Sequence, residues 1–354
     1  MRAAVLYGPR DLRVEEVPSA RPPGDGELRL SIIAVGLCGT DLHEYLNAPV
    51  LTPLSVRNPR SGHMGPIIIG HEFLGRVETI GPKVSGFSVG DRVVAGAGVS
   101  CGRCEQCRRG RTNLCTSYYT FGLQADGGMA EAITVPAQMC VAVPDRCSDD
   151  DAVLAQPVAI AMHAVERSRV VAGERVAVIG AGAIGSLLIV GLASVGGTIT
   201  VLDVDAARLE TARELGAARQ VLAPPSAEQT LELRASFDAV FDTSGSSTGL
   251  ANALRLVKPG GRIVAVGLPT DEVQFDSRSA VINEIDVITS SAHVCSVNLP
   301  AAVELLAARS IHRLIVDRTV DLDDIVSRGF GPLANRELAG KVIVRITGPL
   351  DDRQ

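Results

Sequence analysis

The chain contains no tryptophan, and aromatic residues make up only 3% of its 354 residues. This scarcity argues against the aromatic platforms on which proteins stack sugars or nucleic-acid bases. An excess of positive charge is also missing, because 34 lysines and arginines are outnumbered by 40 aspartates and glutamates, for a net charge of −6. We therefore expect neither nucleic acid nor an anionic membrane surface as a partner.

A membrane-spanning segment and a secretory signal also find little support in the sequence. Residues 176–202 carry no formal charge, and an apolar run of that length could span a bilayer. Glycines interrupt the run repeatedly, so we interpret it as a strand, a tight turn, a buried helix and a second strand. Arg10 and Asp11 come too early for a signal peptide, so we expect a cytoplasmic protein with reduced cysteines.

Half of the eight cysteines are clustered in one short segment, as Cys101, Cys104, Cys107 and Cys115. Four thiolates at this spacing can fill every position of a tetrahedral Zn²⁺ site, which leaves no position for water or substrate. Such a metal would brace a surface lobe at residues 98–117 and would take no part in chemistry. The alternative is a pair of disulfides, which the spacing and the expected reducing compartment disfavour.

The patterns of strand and helix predict two domains of different architecture. Residues 1–155 carry short β-like runs broken by glycine and proline, among them Leu28–Val35, Gly75–Ile80, Asp91–Ala95 and Met129–Val135. From residue 156 to residue 295 strands alternate with helices, which is typical of a doubly wound parallel sheet. The strands predicted there are Arg175–Ile179, Thr198–Leu202, Ala239–Asp242 and Arg262–Gly267. One predicted helix ends at Val195, and two others span Ala206–Leu215 and Ser247–Val257. After about residue 295 we expect a helix, a loop and a final β-run, Val342–Ile346.

A glycine-rich turn follows the predicted strand Arg175–Ile179 and opens a helix. Gly180 allows the tight turn, Gly182 lets the backbone approach a pyrophosphate, and Gly185 permits close packing of helix and strand. The N-terminus of the helix, which includes Ile184, presents free N–H groups and a positive dipole end to the phosphates. The pattern predicts a dinucleotide-binding site.

The next strand ends at Asp203, where a carboxylate can accept hydrogen bonds from both hydroxyls of an adenosine ribose. A 2′-phosphate would be repelled there, so the sequence favours NAD over NADP. The alternative is that Asp203 only caps the helix Ala206–Leu215. Arg208 is a candidate contact to the ribose, although a solvated helix charge explains it about as well. Val266, Gly267 and Leu268 follow a later strand and are expected near the nicotinamide.

Two further motifs lie in the first domain, Cys38-Gly-Thr-Asp-Leu-His43 and Gly70-His-Glu72. Together with the four cysteines, the run Gly127-Gly-Met-Ala-Glu131 and the glycine turn, they resemble the zinc-dependent medium-chain alcohol/polyol dehydrogenases over nearly the whole chain. Within that family the sequence most resembles the 2,3-butanediol dehydrogenases, through residues 41–46 and the long stretch before Gly70. Threonine and sorbitol dehydrogenases share the core motifs.

The resemblance implies an α/β protein with a GroES-like, mostly-β catalytic domain, residues 1–155 and 296–354, and a Rossmann NAD-binding domain, residues 156–295. It also implies two zinc ions per chain, one catalytic and one structural, and a homodimer or homotetramer. The expected reaction is hydride transfer between NAD and a small secondary alcohol or vicinal diol, such as 2,3-butanediol with its ketone acetoin. A sugar or polyol dehydrogenase and a non-catalytic NAD-binding zinc protein are the alternatives.

The resemblance implies that Cys38 and His71 bind the catalytic zinc and leave an open position for water or a substrate oxygen. One thiolate and one imidazole are normal zinc donors. The family has an acidic residue in a Glu-Pro-Leu-Ala stretch, and this chain has Gln156 there, whose carbonyl oxygen can ligate zinc but carries no charge. Gln156 therefore keeps the sugar dehydrogenase alternative open. Glu72 either binds zinc, exchanges with water, or orients the site from outside the ligand shell.

The resemblance also implies a path for the proton of the alcohol. Zinc would lower the pKa of the substrate hydroxyl, as it lowers the pKa of bound water to about 7. Thr40 would accept the proton and pass it, through the nicotinamide ribose, towards His43, because a histidine side chain suits the solvent end of such a relay. We expect the long stretch from Glu44 to Gly70 to line the substrate entrance with apolar surface, which would favour short diols over hydroxyl-rich polyols.

Overall fold

A computed structural model of the protein describes residues 1–269, 271–335, 337–338 and 340–347. Its internal contacts divide the chain into two compact units. The first unit comprises Met1–Ala159 and His293–Gln354, and the second comprises Ile160–Ala292. Strands and helices are numbered below along the whole chain.

The first unit is built mainly from antiparallel strands. Its strands are β1 (Arg2–Gly8), β2 (Asp11–Glu16), β3 (Glu27–Gly36), β4 (Ile67–Ile68), β5 (Glu72–Ile80), β6 (Arg92–Ala95), β7 (Gly98–Val99), β8 (Tyr119–Thr120), β9 (Ala132–Pro136), β10 (Cys140–Ala142), β17 (Val316–Asp321) and β18 (Lys341–Arg345). The largest sheet has the order β10-β6-β5-β3-β18-β17, and β9 also pairs with β3. Strands β2, β1 and β4 form a second sheet, and β7 pairs with β8.

Strand β3 lies at the centre of the first unit because its sequence suits burial on both faces. Its first half alternates between buried and half-buried residues, and its last five residues are all buried. Leu28, Leu30 and Ile32 belong to a core cluster that also contains Phe73 and Val344 from the neighbouring strands. The end of β3 is therefore held firmly, and the residues that follow it start from a fixed position.

Helices complete the first unit, and most of them are short. They are α1 (Gly39–Asn47), α2 (Glu105–Arg108), α3 (Asp149–Ala152), α4 (Ala155–Ser168), α10 (Cys295–Ala308), α11 (His312–Ile315) and α12 (Gly331–Ala334), with α4 continuing into the second unit. A π-helix, Ile325–Phe330, precedes α12. Its last residue, Phe330, stacks on Tyr45 of α1 with ring centroids 4.8 Å apart, which fixes α1 against the core.

The second unit is a six-stranded sheet in which every strand pair is parallel. Its strands are β11 (Arg175–Ile179), β12 (Thr198–Asp203), β13 (Arg219–Leu222), β14 (Phe237–Asp242), β15 (Val257–Ala265) and β16 (Asp286–Thr289), and its helices are α5 (Ala183–Ser194), α6 (Ala206–Leu215), α7 (Ala227–Leu233), α8 (Gly249–Leu256) and α9 (Ser277–Ile282). The order β13-β12-β11-β14-β15-β16 is that of a doubly wound dinucleotide-binding fold. The predicted fold class is confirmed.

The uncharged stretch 176–202 forms β11, α5 and β12, as its glycines predicted. Helix α6 ends where expected, at Gly216, whose φ of 119° is the left-handed conformation that glycine favours at a helix end. Among the described residues, no helix is long and apolar enough to cross a membrane.

Several predicted elements differ in extent or type from the structure. The strand predicted over Met129–Val135 begins only at Ala132, because Met129 accepts a hydrogen bond from Ala4 and follows β1 instead. Strand β15 begins at Val257 rather than Arg262, with an irregular register that accommodates its proline and glycines. Strand β17 lies in a region predicted as a loop. Its charged sequence gives no clear hydrophobic signal for a strand, and pairing with β18 holds it in place instead.

Candidate active site and cofactor site

The four clustered cysteines converge in the structure. The Sγ atoms of Cys101, Cys104, Cys107 and Cys115 all lie within 4.8 Å of one another. The sulfurs of Cys104 and Cys107 are 3.5 Å apart, far longer than a disulfide bond and close to the roughly 3.8 Å edge of a tetrahedral ZnS₄ site. All eight cysteines of the chain are free thiols. The donor set fits a structural zinc ion.

Backbone N–H groups donate hydrogen bonds to the sulfurs of this cluster. The N–H of Cys101 and the N–H of Ser117 both donate to Cys115 Sγ, at 3.2 and 3.3 Å. N–H donors from Cys107 and Thr116 lower the pKa of Cys104 to about 6. Because a thiolate is the form that binds zinc, the loop already favours the ligating state of Cys104, whereas burial and the neighbouring thiols raise the pKa of Cys107 to about 11.

A second cluster forms where β3 and β5 meet. Strand β3 ends at Gly36, which lies directly opposite Glu72, the first residue of β5. Cys38 follows β3 and precedes helix α1, and His71 precedes β5. As a result, the ligand atoms of Cys38, His71 and Glu72 lie within 4.8 Å of one another. The structure therefore brings together three of the four residues predicted for the catalytic zinc.

Glycine at position 36 leaves room for the buried Glu72 carboxylate. A Cβ atom added to Gly36 would lie only 2.4 Å from Oε2 of Glu72. The absence of a side chain lets the Glu72 carboxylate pack directly against the backbone of β3.

Asp41, in the first turn of α1, holds the other two ligands in place. Its Oδ2 accepts a hydrogen bond from the backbone N–H of Cys38 at 2.9 Å, and its Oδ1 lies 3.1 Å from Nδ1 of His71. An imidazole whose Nδ1 donates to a carboxylate presents Nε2 as the free metal-binding atom. The Asp41 side chain is completely buried, so this orientation is shielded from water.

The same contacts alter the protonation of His71 in the metal-free site. Burial lowers the pKa of His71, but Asp41 and Cys38 raise it by more, and the pKa lies well above its ordinary value. A metal ion must therefore displace a firmly held proton from this imidazole.

A buried lysine completes the charge balance of the cluster. Lys341, the first residue of β18, forms an ion pair with Glu72 Oε2, and both side chains are buried. Pairing of β18 with β3 brings this distant residue to the site. Burial lowers the pKa of Lys341, whereas Glu72 and Cys38 raise it by more, so the pKa lies above its ordinary value. Lys341 is therefore a cation, and it already neutralises the charge of Glu72.

Gln156 lies in the first turn of α4, within the first unit. The residue is only 7% exposed, and its Oε1 has no hydrogen-bond partner. A buried amide oxygen without a partner is uncommon, because losing its hydrogen bond to water costs about 1–3 kcal/mol. An acceptor in this state fits a metal ligand.

Thr40 and His43 lie one helical turn apart on α1. The hydroxyl of Thr40 is 3.7 Å from Cys38 Sγ, at the metal-ligand cluster. His43 is exposed to solvent. Residues three apart on a helix share one side, so the helix offers a short route from the cluster to the surface.

In the second unit, the three predicted glycines each occupy a position that matches their expected role. Gly180 has φ of 95°, a left-handed conformation. A Cβ on Gly182 would meet no atom within 4 Å, so its backbone is open to a ligand. A Cβ on Gly185 would lie 2.0 Å from the carbonyl oxygen of Gly180, so only glycine permits this contact of helix and strand. Ile184 is half-buried between them in the first turn of α5.

Asp203 ends β12 and supports the glycine turn. Its Oδ2 accepts the N–H of Ala181 at 2.6 Å, and its Oδ1 accepts the N–H of Asp205 at 2.9 Å. Helix α6 is capped by Asp205, whose side chain accepts the N–H of Ala207. The alternative that Asp203 only caps this helix is therefore wrong. Arg208 lies in the first turn of α6, with its Nε 3.8 Å from Asp205 Oδ2.

Val266, Gly267 and Leu268 follow the carboxyl end of β15, as predicted. The N–H groups of Val266 and Gly267 both donate to the carbonyl oxygen of Asp242, which ties this turn to the end of β14. The Leu268 side chain is almost fully exposed.

Comparisons with known proteins agree with this geometry. The family model "Alcohol dehydrogenase GroES-like domain" matches residues 24–145, and "Zinc-binding dehydrogenase" matches residues 183–308. The (R,R)-butanediol dehydrogenase of Bacillus subtilis (strain 168) is 30% identical over 98% of this chain and 99% of its own. This chain belongs to the zinc-dependent medium-chain alcohol dehydrogenases. It is an oxidoreductase that acts on alcohols.

Other similar members of the family differ in substrate. A sorbitol dehydrogenase of B. subtilis (strain 168) is 31% identical over 87% of this chain and 86% of its own. The crystal structure of 2R,3R-butanediol dehydrogenase from B. subtilis superposes with a TM-score of 0.89, at 28% identity, covering 97% of this chain and 99% of that chain. Family membership alone therefore leaves the substrate of this dehydrogenase open.

The bound cofactors of structural neighbours also differ. An alcohol dehydrogenase from Escherichia coli CFT073, complexed with NADH, has a TM-score of 0.85 and 26% identity over 98% of this chain and 99% of that chain. A putative zinc-binding dehydrogenase from Sinorhizobium meliloti 1021, bound to NADP, has a TM-score of 0.84 and 28% identity over 97% and 98%.

Two residues at the site of this dehydrogenase were missed by the sequence interpretation. Asp41 lies inside a motif that was recognised, and its position in the first turn of a helix after Cys38 is the signal that could have identified it. Lys341 offers no such signal. It is a single lysine directly before the predicted β-run Val342–Ile346, and only the pairing of β18 with β3 reveals it.

Proposed function

We propose that the protein interconverts a small secondary alcohol or vicinal diol, of the 2,3-butanediol and acetoin type, with its ketone, using zinc and NAD. The observation that carries the proposal is the pairing of half-buried Cys38 with buried His71, both held by Asp41 at the ends of two paired strands. Similarity to a butanediol dehydrogenase along almost the entire chain supports the substrate class.

We assign Cys38 Sγ, His71 Nε2 and Gln156 Oε1 as ligands of a catalytic zinc, with a fourth position open. When it is bound, the metal supplies Lewis-acid polarisation of the substrate oxygen. Glu72 is assigned a place outside the ligand shell, because its ion pair with Lys341 competes with metal binding. It would orient the site by its packing against Gly36.

The residues of α1 would carry the proton away from the reacting alcohol. The Thr40 hydroxyl would accept the proton, and exposed His43 would deliver it to solvent. The position of Thr40 beside Cys38 and the exposure of His43 support these roles.

We propose NAD as the cofactor, bound by Gly180, Gly182, Ile184 and Gly185 at its phosphates and by Asp203 at its adenosine ribose. Each Asp203 oxygen accepts a backbone N–H and keeps a lone pair for a ribose hydroxyl. Its negative charge would repel a 2′-phosphate. Arg208 would cover the ribose, and Val266, Gly267 and Leu268 would border the nicotinamide.

A second zinc is proposed at the four cysteines, which makes two ions per chain. We also propose a homodimer or homotetramer in the cytoplasm. Strand β16 lies at the edge of the second unit's sheet, and Val287 on it is partly exposed. An apolar, unpaired edge is a surface that a second copy can cover.

A sugar or polyol dehydrogenase is the second candidate function. The uncharged Gln156 and the similarity to a sorbitol dehydrogenase favour it. The alternative of a non-catalytic NAD-binding zinc protein is not retained, because this chain belongs to a family of dehydrogenases.

The proposal is tested by measuring NAD⁺ reduction with the stereoisomers of 2,3-butanediol, sorbitol, glucose and threonine on protein of known zinc content. We expect two zinc ions per chain and the highest kcat/KM with one butanediol stereoisomer. A higher kcat/KM with sorbitol or glucose would replace the proposed substrate with the second candidate. Faster reduction of NADP⁺ than of NAD⁺ would contradict the role given to Asp203.

A further inference from the structure

Helix α1 carries two fully buried carboxylates one turn apart, Asp41 and Glu44, each 0% exposed. Asp41 holds Cys38 and His71, as described above. Glu44 has no part in that network. Its hydrogen bonds go to the segment that follows the helix, so it requires a separate explanation.

The Glu44 carboxylate accepts hydrogen bonds from three consecutive backbone N–H groups. Oε1 accepts from Leu51 at 2.5 Å, and Oε2 accepts from Val50 at 3.2 Å and from Thr52 at 3.4 Å. The Thr52 hydroxyl donates to Oε2 as well, at 2.8 Å. A buried acceptor facing only donors is satisfied best by an ionised carboxylate, and such charge-assisted hydrogen bonds are about twice as strong as neutral ones.

The rest of the segment between α1 and β4 is also tied down. Its N–H and carbonyl groups bond internally, from Gly65 to Pro53 and from Asn58 to His63. The guanidinium of Arg60 donates to the carbonyl oxygen of Tyr118 at 2.8 Å, and the hydroxyl of Ser61 donates to the carbonyl oxygen of Gln124. Residues 48–66 are therefore held in place at two points. Glu44 binds the start of this fixed segment, and Tyr118 and Gln124 bind its tip.

This fixed segment nevertheless presents apolar side chains to solvent. Val50 is 48% exposed and Leu51 is 47% exposed, although their backbone N–H groups are bonded to a buried acid. Exposed aliphatic side chains on a rigid backbone are suited to contact the carbon chain of a small ligand. The segment begins at the end of α1, whose N-terminus is Cys38, and it leads through β4 to His71. Both of its ends are thus tied to candidate zinc ligands.

We propose that Glu44 is a positioning residue that fixes Val50 and Leu51 relative to Cys38 and His71, and so determines the preference for short, methyl-ended diols over hydroxyl-rich polyols. The inference rests on the proposed function and specifies how that site selects its substrate. Apolar side chains held in place favour a methyl group and leave a hydroxyl without a partner.

Glu44→Gln tests the anchor with almost no change of shape. The amide has a single acceptor oxygen, and its NH₂ group faces N–H donors, so at least part of the anchor is lost. Thr52→Val removes only one donor and should give a smaller effect in the same direction. Glu78→Gln is the matched control, because Glu78 lies exposed on β5, where it pairs with Arg29.

Three measurements are made on each zinc-loaded variant: zinc content, amide hydrogen exchange of residues 50–52, and kcat/KM for 2,3-butanediol and for sorbitol. For Glu44→Gln we expect wild-type zinc content, faster exchange at residues 50–52, and a diol-to-sorbitol ratio that falls about tenfold, mainly through KM of the diol. The control should match the wild type in all three measurements.

Unchanged exchange at residues 50–52 would show that Glu44 does not hold the segment, and faster exchange with an unchanged substrate ratio would show that the segment does not select the substrate. Loss of zinc from Glu44→Gln would mean that Glu44 acts through the metal site. Each of these results overturns the inference. If the wild type itself oxidised none of the alcohols, the proposed function would fail, which is a different outcome from an active enzyme whose preference does not change.

Discussion

At the scale of single residues, two buried acid–base pairs organise the candidate metal centre. Asp41 orients His71, and Lys341 neutralises Glu72. A buried ion pair contributes little net stability compared with apolar packing, but removing one partner leaves an uncompensated charge away from water. The main effect of the two pairs is therefore to fix the positions of the ligands, and their contribution to the free energy of folding is small.

Replacing Lys341 should be strongly destabilising. In Lys341→Met the Glu72 carboxylate stays buried without its cation, and we expect the free energy of unfolding to fall by about 3–5 kcal/mol. Urea denaturation of the metal-free protein measures this change. Adding Glu72→Gln should recover part of the loss. Lys83→Met, at an exposed ion pair with Asp25, is the control and should cost less than about 1 kcal/mol. A similar small loss in Lys341→Met would contradict a buried charge pair.

Zinc uptake at the catalytic site should depend on pH through His71. Zinc binds the neutral imidazole, and the raised pKa of His71 means that the proton leaves only at a higher pH than for an ordinary histidine. Affinity should therefore fall as pH decreases, starting above pH 6.5. Asp41→Asn should shift this onset to lower pH and weaken zinc binding about 10–100-fold at high pH. Competition with a chromogenic chelator measures both effects, and an unchanged affinity would exclude the role given to Asp41.

Gln156→Glu tests the proposed third ligand. A carboxylate at this position adds negative charge next to the metal, so we expect retained activity and tighter binding of the catalytic zinc. Chelator competition and NAD⁺ reduction are measured on the same preparation. Loss of zinc from the variant would indicate that residue 156 does not occupy the ligand position.

Single residues differ in how far the sequence could identify them. Cys38, His71 and the four clustered cysteines lie in short motifs whose chemistry is visible along the chain. Lys341 is 269 residues away from Glu72, and one lysine in a strand has no distinguishing pattern. Glu44 appears only as one of many acidic residues, and its role depends on how the next segment folds back.

At the scale of secondary-structure elements, the register between β3 and β5 builds the candidate metal centre. Because Gly36 lies opposite Glu72, Cys38, which follows β3, and His71, which precedes β5, lie next to each other. Hydrophobic alternation predicted β3 and β5 individually, but no local pattern gives their register. Strand β17 was missed for a related reason, since its stability comes from its neighbour rather than from its own composition.

Gly36→Ala tests this register. The new methyl group would lie 2.4 Å from Glu72 Oε2, so the strand pair or the carboxylate must shift. We expect about 1–3 kcal/mol lower unfolding free energy and reduced occupancy of the catalytic zinc alone. Gly8→Ala at the end of β1 is the control, because a Cβ there meets nothing within 4 Å. Equal behaviour of the two variants in denaturation and metal analysis would contradict the close approach of Glu72.

At the scale of the whole molecule, each unit carries one part of the chemistry. The first holds both candidate metal clusters, and the second holds the glycine turn and Asp203. The sequence predicted the four central strands of the parallel sheet, because their alternation with helices and the glycine turn are local signals, but it did not predict the two edge strands, β13 and β16. The antiparallel unit depends on pairings between distant strands, so its strands were predicted only in part.

The most direct test of the account is anomalous scattering at the zinc edge from crystals of the metal-replete protein. The account predicts two peaks per chain, one inside the four-cysteine cluster and one bonded to Cys38 Sγ and His71 Nε2. A single peak at the four cysteines, with no metal between Cys38 and His71 in zinc-saturated crystals, would contradict it.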